Sequence, residues 1–198
     1  PREETELLVR EGAARLRREL PEAGDGEGLL IADLCSGSGA VALGLAGEFP
    51  AASVRAVERF PAAYSYLTEN IRRTGRRVTP FSLDVLRPES ADAFSGLSLL
   101  AANPPYVTYE EIDGLQRELH HEPRSALDGG GDGLVFYRAI AAHWIPCLAP
   151  GGVCAVEIGE NQAAAVSGLF AQAGLTRIEV TKDFNGFDRV VTGRAGKN

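Results

Sequence analysis

Leu29-Leu30-Ile31-Ala32-Asp33-Leu34-Cys35-Ser36-Gly37-Ser38-Gly39-Ala40 decides the fold. Apart from Asp33, Leu29 to Leu34 is apolar throughout, as in a strand buried on both faces. Small residues follow, then helix formers from Ala40 to about Gly47, so the stretch reads as strand, tight turn and helix. The order recurs downstream. A second strand, Ser53 to Val57, ends at Glu58 and precedes a helix from about Ala62 to Arg73. A third, Val78 to Leu83, ends at Asp84, and a fourth, Leu97 to Ala102, runs into Asn103. An irregular stretch reaches Gly133, a helix covers Leu134 to Leu148, and a fifth strand spans Val153 to Ile158. The pattern then changes. A helix from Gln162 to Ala173 leads to Thr176–Lys182 and Arg189–Thr192, joined by the hairpin signal Asn185-Gly186. Upstream, Glu3 to Leu20 places Leu7, Leu8, Leu16 and Leu20 at helical spacing and stops at Pro21, predicting an amphipathic helix that packs on the domain. The whole is expected to be an α/β domain with a mostly parallel, doubly wound, seven-stranded sheet and an antiparallel C-terminal hairpin.

The chain has 198 residues, 44% of them apolar, enough for one buried core, so residues 1–198 are read as a single domain. A net charge of −7 opposes binding to a phosphate backbone, which sets nucleic acid aside as a direct partner. The basic group Arg72, Arg73, Arg76 and Arg77 lies on and after a surface helix, where exposure explains it. Cys35, Cys147 and Cys154 form no Cys-x-x-Cys pair, and His120, His121 and His143 lack the spacing of zinc ligands, so no metal is implied. Sparse cysteines fit a reducing compartment. No apolar run approaches the ~18 residues of a membrane span, and a cytoplasmic protein is expected. The sequence contains no methionine, so it is expected to begin inside a longer protein.

The turn after the first strand suits a cofactor. Small residues let the backbone approach a ligand, and the N–H groups opening the next helix are free donors. Gly37-x-Gly39-x-x-Ala42 loosely satisfies a dinucleotide fingerprint, and Glu58 falls about 20 residues on, where an acid meets ribose hydroxyls. Asp84 suits the exocyclic amine of an adenine whose edge reaches the backbone at Val85. These features fit a nicotinamide cofactor or S-adenosylmethionine equally.

Asn103-Pro104-Pro105-Tyr106, past the fourth strand, separates the two. Each proline fixes its own φ and biases the residue before it away from helix, so the turn is stiff. It would aim the Asn103 side-chain oxygen and the Pro104 carbonyl into one small space, two acceptors suited to an NH2 group. An amide nitrogen is a poor nucleophile because its lone pair is delocalised; binding both its protons favours the pyramidal form that attacks. The Tyr106 face can pack on the planar group. Residues 97–110 hold no His or Lys to move a proton for hydride chemistry. Methyl transfer to an amine or amide is favoured.

Motifs along nearly the whole chain resemble those of the HemK/PrmC family, the release-factor glutamine methyltransferases of the Rossmann-like, S-adenosylmethionine-dependent group. Pro1-Arg2-Glu3-Glu4-Thr5-Glu6 is similar to that family's opening signature, with Glu3 in place of a proline. Asn103-Pro104-Pro105-Tyr106 matches its substrate motif, which DNA adenine and some ribosomal RNA methyltransferases share. More specific are Glu122-Pro123-Arg124-Ser125-Ala126-Leu127-Asp128-Gly129-Gly130, Asp132-Gly133-Leu134 and Asp188-Arg189-Val190-Val191-Thr192-Gly193-Arg194. Cys35 replaces the first glycine of the usual cofactor loop, and Ser98 stands where many relatives carry an acid. The resemblance implies S-adenosyl-L-methionine as cofactor and S-adenosyl-L-homocysteine as product. It implies contacts to the cofactor from Thr5, Glu6, Asp33, Cys35, Ser36, Gly37, Ser38, Gly39, Glu58, Asp84, Val85 and Asn103. Catalysis falls to Asn103, Pro104 and Tyr106, and substrate binding to these three with Pro105. The implied substrate is the glutamine of the Gly-Gly-Gln motif of a class I peptide-chain release factor, met by a monomer; the alternative is an amino-methyltransferase acting on DNA adenine or ribosomal RNA. By resemblance a helical domain precedes the catalytic one.

Overall fold

A computed structural model describes residues 3–114 and 127–196. His120, His121 and Glu122 to Ala126 of the longest family-like motif lie outside the described residues. Seven strands, β1 (Leu30–Leu34), β2 (Ser53–Val57), β3 (Val78–Phe81), β4 (Leu97–Ala102), β5 (Leu148–Glu157), β6 (Thr176–Lys182) and β7 (Asp188–Arg194), form one sheet in the order β3-β2-β1-β4-β5-β7-β6. The first five are parallel; β7 runs antiparallel to both β5 and β6. The helices are α1 (Glu3–Glu19), α2 (Ala40–Glu48), α3 (Pro61–Thr74), α4 (Tyr109–Gly114), α5 (Val135–Ala139) and α6 (Ala163–Gln172). Strand order reverses between β1 and β4, so the loops leaving these two strands diverge and open a crevice at their carboxyl ends.

The central strands are apolar on both faces because both faces are covered. Ile31, Leu99, Ala101, Val153, Ala155 and Val190 join the layer under α1 and α2, while Ala32, Leu34, Leu100, Ala102, Cys154, Val156 and Val191 join the layer containing Phe94, Tyr137, Trp144 and Phe170. The period-two alternation is that of the pleat. Leu7, Leu8 and Leu16 of α1 are buried as its spacing predicts. At Gly12 the helix lies so close to the sheet that a Cβ would stand 3.5 Å from that of Ala155. One turn on, buried Arg15 pairs with Glu19 and, at 2.8 Å, with Glu179 of β6; Glu19 also meets Arg194 of β7 at 3.2 Å. Burial pushes the Glu19 carboxyl up, but Arg194, Arg15 and Arg177 outweigh it and hold it below its ordinary value. These ion pairs tie α1 to the antiparallel edge.

Two expectations need correction. The helix expected over Leu134–Leu148 is α5 followed by a π turn at Ile140–Trp144 and a 3-10 turn at Ile145–Cys147. Pro146 has no N–H to continue an α-helical ladder, and the wider turn delivers the Trp144 indole N–H to the Val85 carbonyl at 3.0 Å. The fifth strand begins at Leu148, well before Val153. Leu148 pairs with Leu97, the register slips, and regular pairing starts at Leu99 with Val153, where the sequence pattern also starts. In addition, α4 lies in the stretch expected to be irregular. Among the described residues no helix is long and apolar enough to cross a membrane.

Candidate active site

A cavity of 760 Å³ lies at the carboxyl ends of β1 to β4. Its wall includes Thr5, Cys35, Ser36, Gly37, Ser38, Glu58, Asp84, Val85, Asn103 and Pro105, so most residues singled out from the sequence meet at one place. Phe60, Leu83 and Phe136, not singled out, add apolar surface. The Phe60 position was readable only as the hydrophobe before the helix-starting Pro61.

The loop from Cys35 to Gly39 is shaped by its backbone. Cys35, Gly37 and Gly39 all have positive φ, at 56°, 55° and 89°. For the glycines this is free of the Cβ clash; Cys35 adopts it at a cost of roughly 1–2 kcal/mol. Gly39 has no alternative, because a Cβ there would lie 2.6 Å from Leu67 Cδ1 of α3. Burial, with the carboxylates of Glu58, Asp33 and Asp84, holds the Cys35 thiol well above its ordinary pKa, so it is a neutral wall and not a nucleophile.

Glu58 closes the loop from below. Its two oxygens accept the Gly37 N–H at 2.9 Å and the Phe60 N–H at 2.7 Å, joining the loop after β1 to the start of α3. An ionised carboxylate has about four acceptor positions, so further hydroxyl donors can still be taken. Asp84 accepts the Leu86 N–H at 3.0 Å and pairs with Arg59 at 2.8 Å, which fixes its orientation at the cavity rim. Trp144 holds the Val85 carbonyl on the protein side.

Five of the expected residues are not brought to the wall. Glu6 is exposed on α1. Asp33 is fully buried behind the loop, where Oδ2 accepts the Ala42 N–H of α2 at 3.0 Å and Oδ1 has no hydrogen-bond partner among the described residues. Burial pushes its carboxyl up to about 7, against the pull of Ser36 and the Ala42 N–H and with a contribution from Glu58. Gly39 is the left-handed N-cap of α2. Pro104 is buried beneath the turn, and the Tyr106 ring lies against Gly159, where a Cβ would be 3.4 Å from Cδ2. Asp33 and Gly39 shape the site from behind because the strand-to-helix turn consumes them.

Asn103, by contrast, lines the cavity half-buried, and among the described residues no hydrogen bond engages its side-chain amide. The turn is therefore rigid in its backbone yet presents an unengaged polar group. The segment after it is strapped down: Val107 donates its N–H to the Leu127 carbonyl, and Gly129 donates to the Val107 carbonyl, both at 2.9 Å. Two carboxylates, Glu58 and Asp84, and the amide of Asn103 beside two prolines thus share one opening.

Comparison with known proteins agrees with this geometry. The release factor glutamine methyltransferase of Geobacter sulfurreducens is 40% identical over 99% of this chain and 65% of its own length. That of Xylella fastidiosa is 36% identical over 98% of this chain and 67% of its own.

The chain belongs to the release factor glutamine methyltransferase family.

The chain spans 57 to 67% of the length of these and other curated relatives it matches. No protein-family model matches the sequence. A solved member, the release-factor-specific protein-(glutamine-N5) methyltransferase of Alicyclobacillus acidocaldarius, superposes with a TM-score of 0.60 at 29% identity, covering 99% of this chain and 94% of that one. The antiparallel edge and the reversal of strand order described above are thus a methyltransferase arrangement. The family's glycine position at residue 35 has a physical reason here, since the loop needs a positive φ there.

Proposed function

We propose that this protein binds S-adenosyl-L-methionine in the cavity and catalyses methylation of the side-chain amide nitrogen of the glutamine in the Gly-Gly-Gln motif of a class I release factor, acting as a monomer in the cytoplasm. The carrying observation is that Glu58, Asp84 and Asn103 open onto one cavity, two carboxylates on the cofactor side and an unengaged amide on the acceptor side.

The donor set fits the cofactor. Glu58 retains lone pairs for the ribose diol, Asp84 and the Val85 backbone suit the adenine edge, and Thr5 with the Cys35–Ser38 loop would hold the methionine end. A Cβ built at Gly37 would meet nothing within 4 Å, so the backbone there is open to a ligand. When bound, the cofactor supplies an electrophilic methyl on a sulfonium, which leaves as S-adenosyl-L-homocysteine. Asn103 Oδ1 and the Pro104 carbonyl would accept the two N–H groups of the glutamine amide and hold its nitrogen with the lone pair toward the methyl. Pro105 would bound the carboxamide plane. Held by Asn103 and Pro104, the amide nitrogen would take up that methyl, and sulfur would keep the electron pair of the broken carbon–sulfur bond. The methylated nitrogen then loses a proton to water, so no general base is needed. Positioning and electrostatics carry the rate.

Incubation with tritiated cofactor and, separately, a release factor, adenine-containing DNA and ribosomal RNA tests the reading. Label on the Gly-Gly-Gln glutamine alone is expected; label on nucleic acid, or on none of the three, would overturn it.

A further inference from the structure

We propose that Gln162 is a positioning residue whose side-chain amide clamps the acceptor turn to the glycine loop Gly129–Gly133. Its Nε2 donates to the Tyr106 carbonyl at 3.1 Å and to the Gly133 carbonyl at 3.2 Å, while its Oε1 accepts the Gly159 N–H at 3.0 Å. Both amide hydrogens and one oxygen lone pair are used, so a single side chain joins three segments.

The need for a clamp follows from the turn itself. Pro104 and Pro105 fix φ but donate no hydrogen bond, so they make the turn stiff without saying where it sits. Its location has to come from its carbonyls or from the residues beyond. Tyr106 supplies the carbonyl, and Val107 is strapped to residues 127 and 129. The fit is tight. A Cβ at Gly129 would lie 2.7 Å from Tyr106 Cα, and one at Gly133, where φ is +71°, would lie 2.5 Å from the Tyr106 carbonyl oxygen and 2.6 Å from Gln162 Nε2. The other end of the clamp is firm. Gln162 is the N-cap residue of α6, its carbonyl accepts the Val166 N–H at 2.9 Å, and Val166 and Phe170 are wholly buried. Gln162 does not line the cavity, so it acts through the turn and not on the cofactor. Its effect on methyl transfer rests on the function proposed above; the clamp itself does not.

Two variants separate the clamp from a structural role at the start of α6. Gln162→Met keeps the volume and removes every bond. Gln162→Glu keeps an acceptor for the Gly159 N–H and removes both donations. In both, hydrogen exchange at the Val107 and Gly129 amides is expected to quicken while that of the β1 and β4 amides stays as in the wild type. The calorimetric affinity for S-adenosylmethionine and its KM should not move. Turnover on a release factor is expected to fall about 10²-fold, the scale of a 1 Å misplacement. Wild-type exchange in both variants, or rescue by Glu, overturns the clamp; quickened exchange with full turnover overturns its positioning role. A wild-type protein that labels no release factor overturns the function alone, because the exchange measurement uses no acceptor.

Discussion

On one side of the cavity the loop after β1 is held across short spans of chain: Asp33 reaches Ala42, and Glu58 reaches Phe60 and, across 21 residues, Gly37, while Asp84 reaches Arg59 across 25 and only Val85 depends on a distant partner, Trp144. On the other side the acceptor turn is held by Gln162, which is 56 residues from Tyr106 and 29 from Gly133. The first wall is built mainly on the β1–α2 and β2–α3 units and the residues after β3, with Trp144 fixing Val85. The second exists only when α6, the glycine loop and β5 are all docked. On the proposed function, cofactor binding and methyl transfer would rest on different parts of the fold and should be separable by substitution.

The largest effect is expected from Asn103→Ala, which removes one of the two acceptors. Loss of one preorganised partner costs about 2.7–4 kcal/mol of transition-state stabilisation, so turnover should drop by about two to three orders of magnitude with calorimetric cofactor affinity unchanged. Equal turnover would detach the chemistry from this turn. Glu58→Ala attacks the other wall. Losing a charged acceptor for the ribose, together with the two loop N–H groups it holds, should weaken S-adenosylmethionine binding by about 1.5–3 kcal/mol. If titration shows wild-type affinity, the ribose lies elsewhere.

The smallest effect concerns Asp33. Its folded pKa is raised from 3.8 to about 7, so the folded state holds the proton more tightly than the unfolded chain. This contribution is full below about pH 4, declines as pH rises toward 7 and is gone above it. Asn cannot titrate. The stability difference between Asp33→Asn and the wild type, followed by melting temperature, should therefore shift in favour of the variant between about pH 6 and pH 7, by on the order of 1 kcal/mol. A pH-independent difference would mean that Asp33 titrates normally.

The same contrast explains what the sequence disclosed. The wall made of contiguous motifs was readable: Leu29 to Ala40 showed strand, turn and helix, Glu58 and Asp84 stood at strand ends, and Asn103-Pro104-Pro105 announced a stiff turn. Asp33 and Gly39 were placed in the right unit but on the wrong side of it, since sequence alone does not distinguish a residue that faces a ligand from one that supports the loop. Gln162 carried no sequence signal, because its meaning lies in carbonyls brought near it only by the folded sheet. The π turn at Ile140–Trp144 was hidden for a similar reason. Five residues are too few for apolar spacing to separate i→i+5 from i→i+4 bonding, so only the folded backbone reveals the wider turn.

The last strand in sequence, β7, sits in the middle of the antiparallel half, with Val190 and Val191 filling opposite core layers. A ribosome delivers this strand after all the others. Until Arg194 has left the exit tunnel, β5 presents a bare edge and β6 has no neighbour to pair with, a state that invites association with other nascent chains. Closure of the described sheet is therefore expected to come late, when β7 slots between β5 and β6 into a gap that synthesis has kept open.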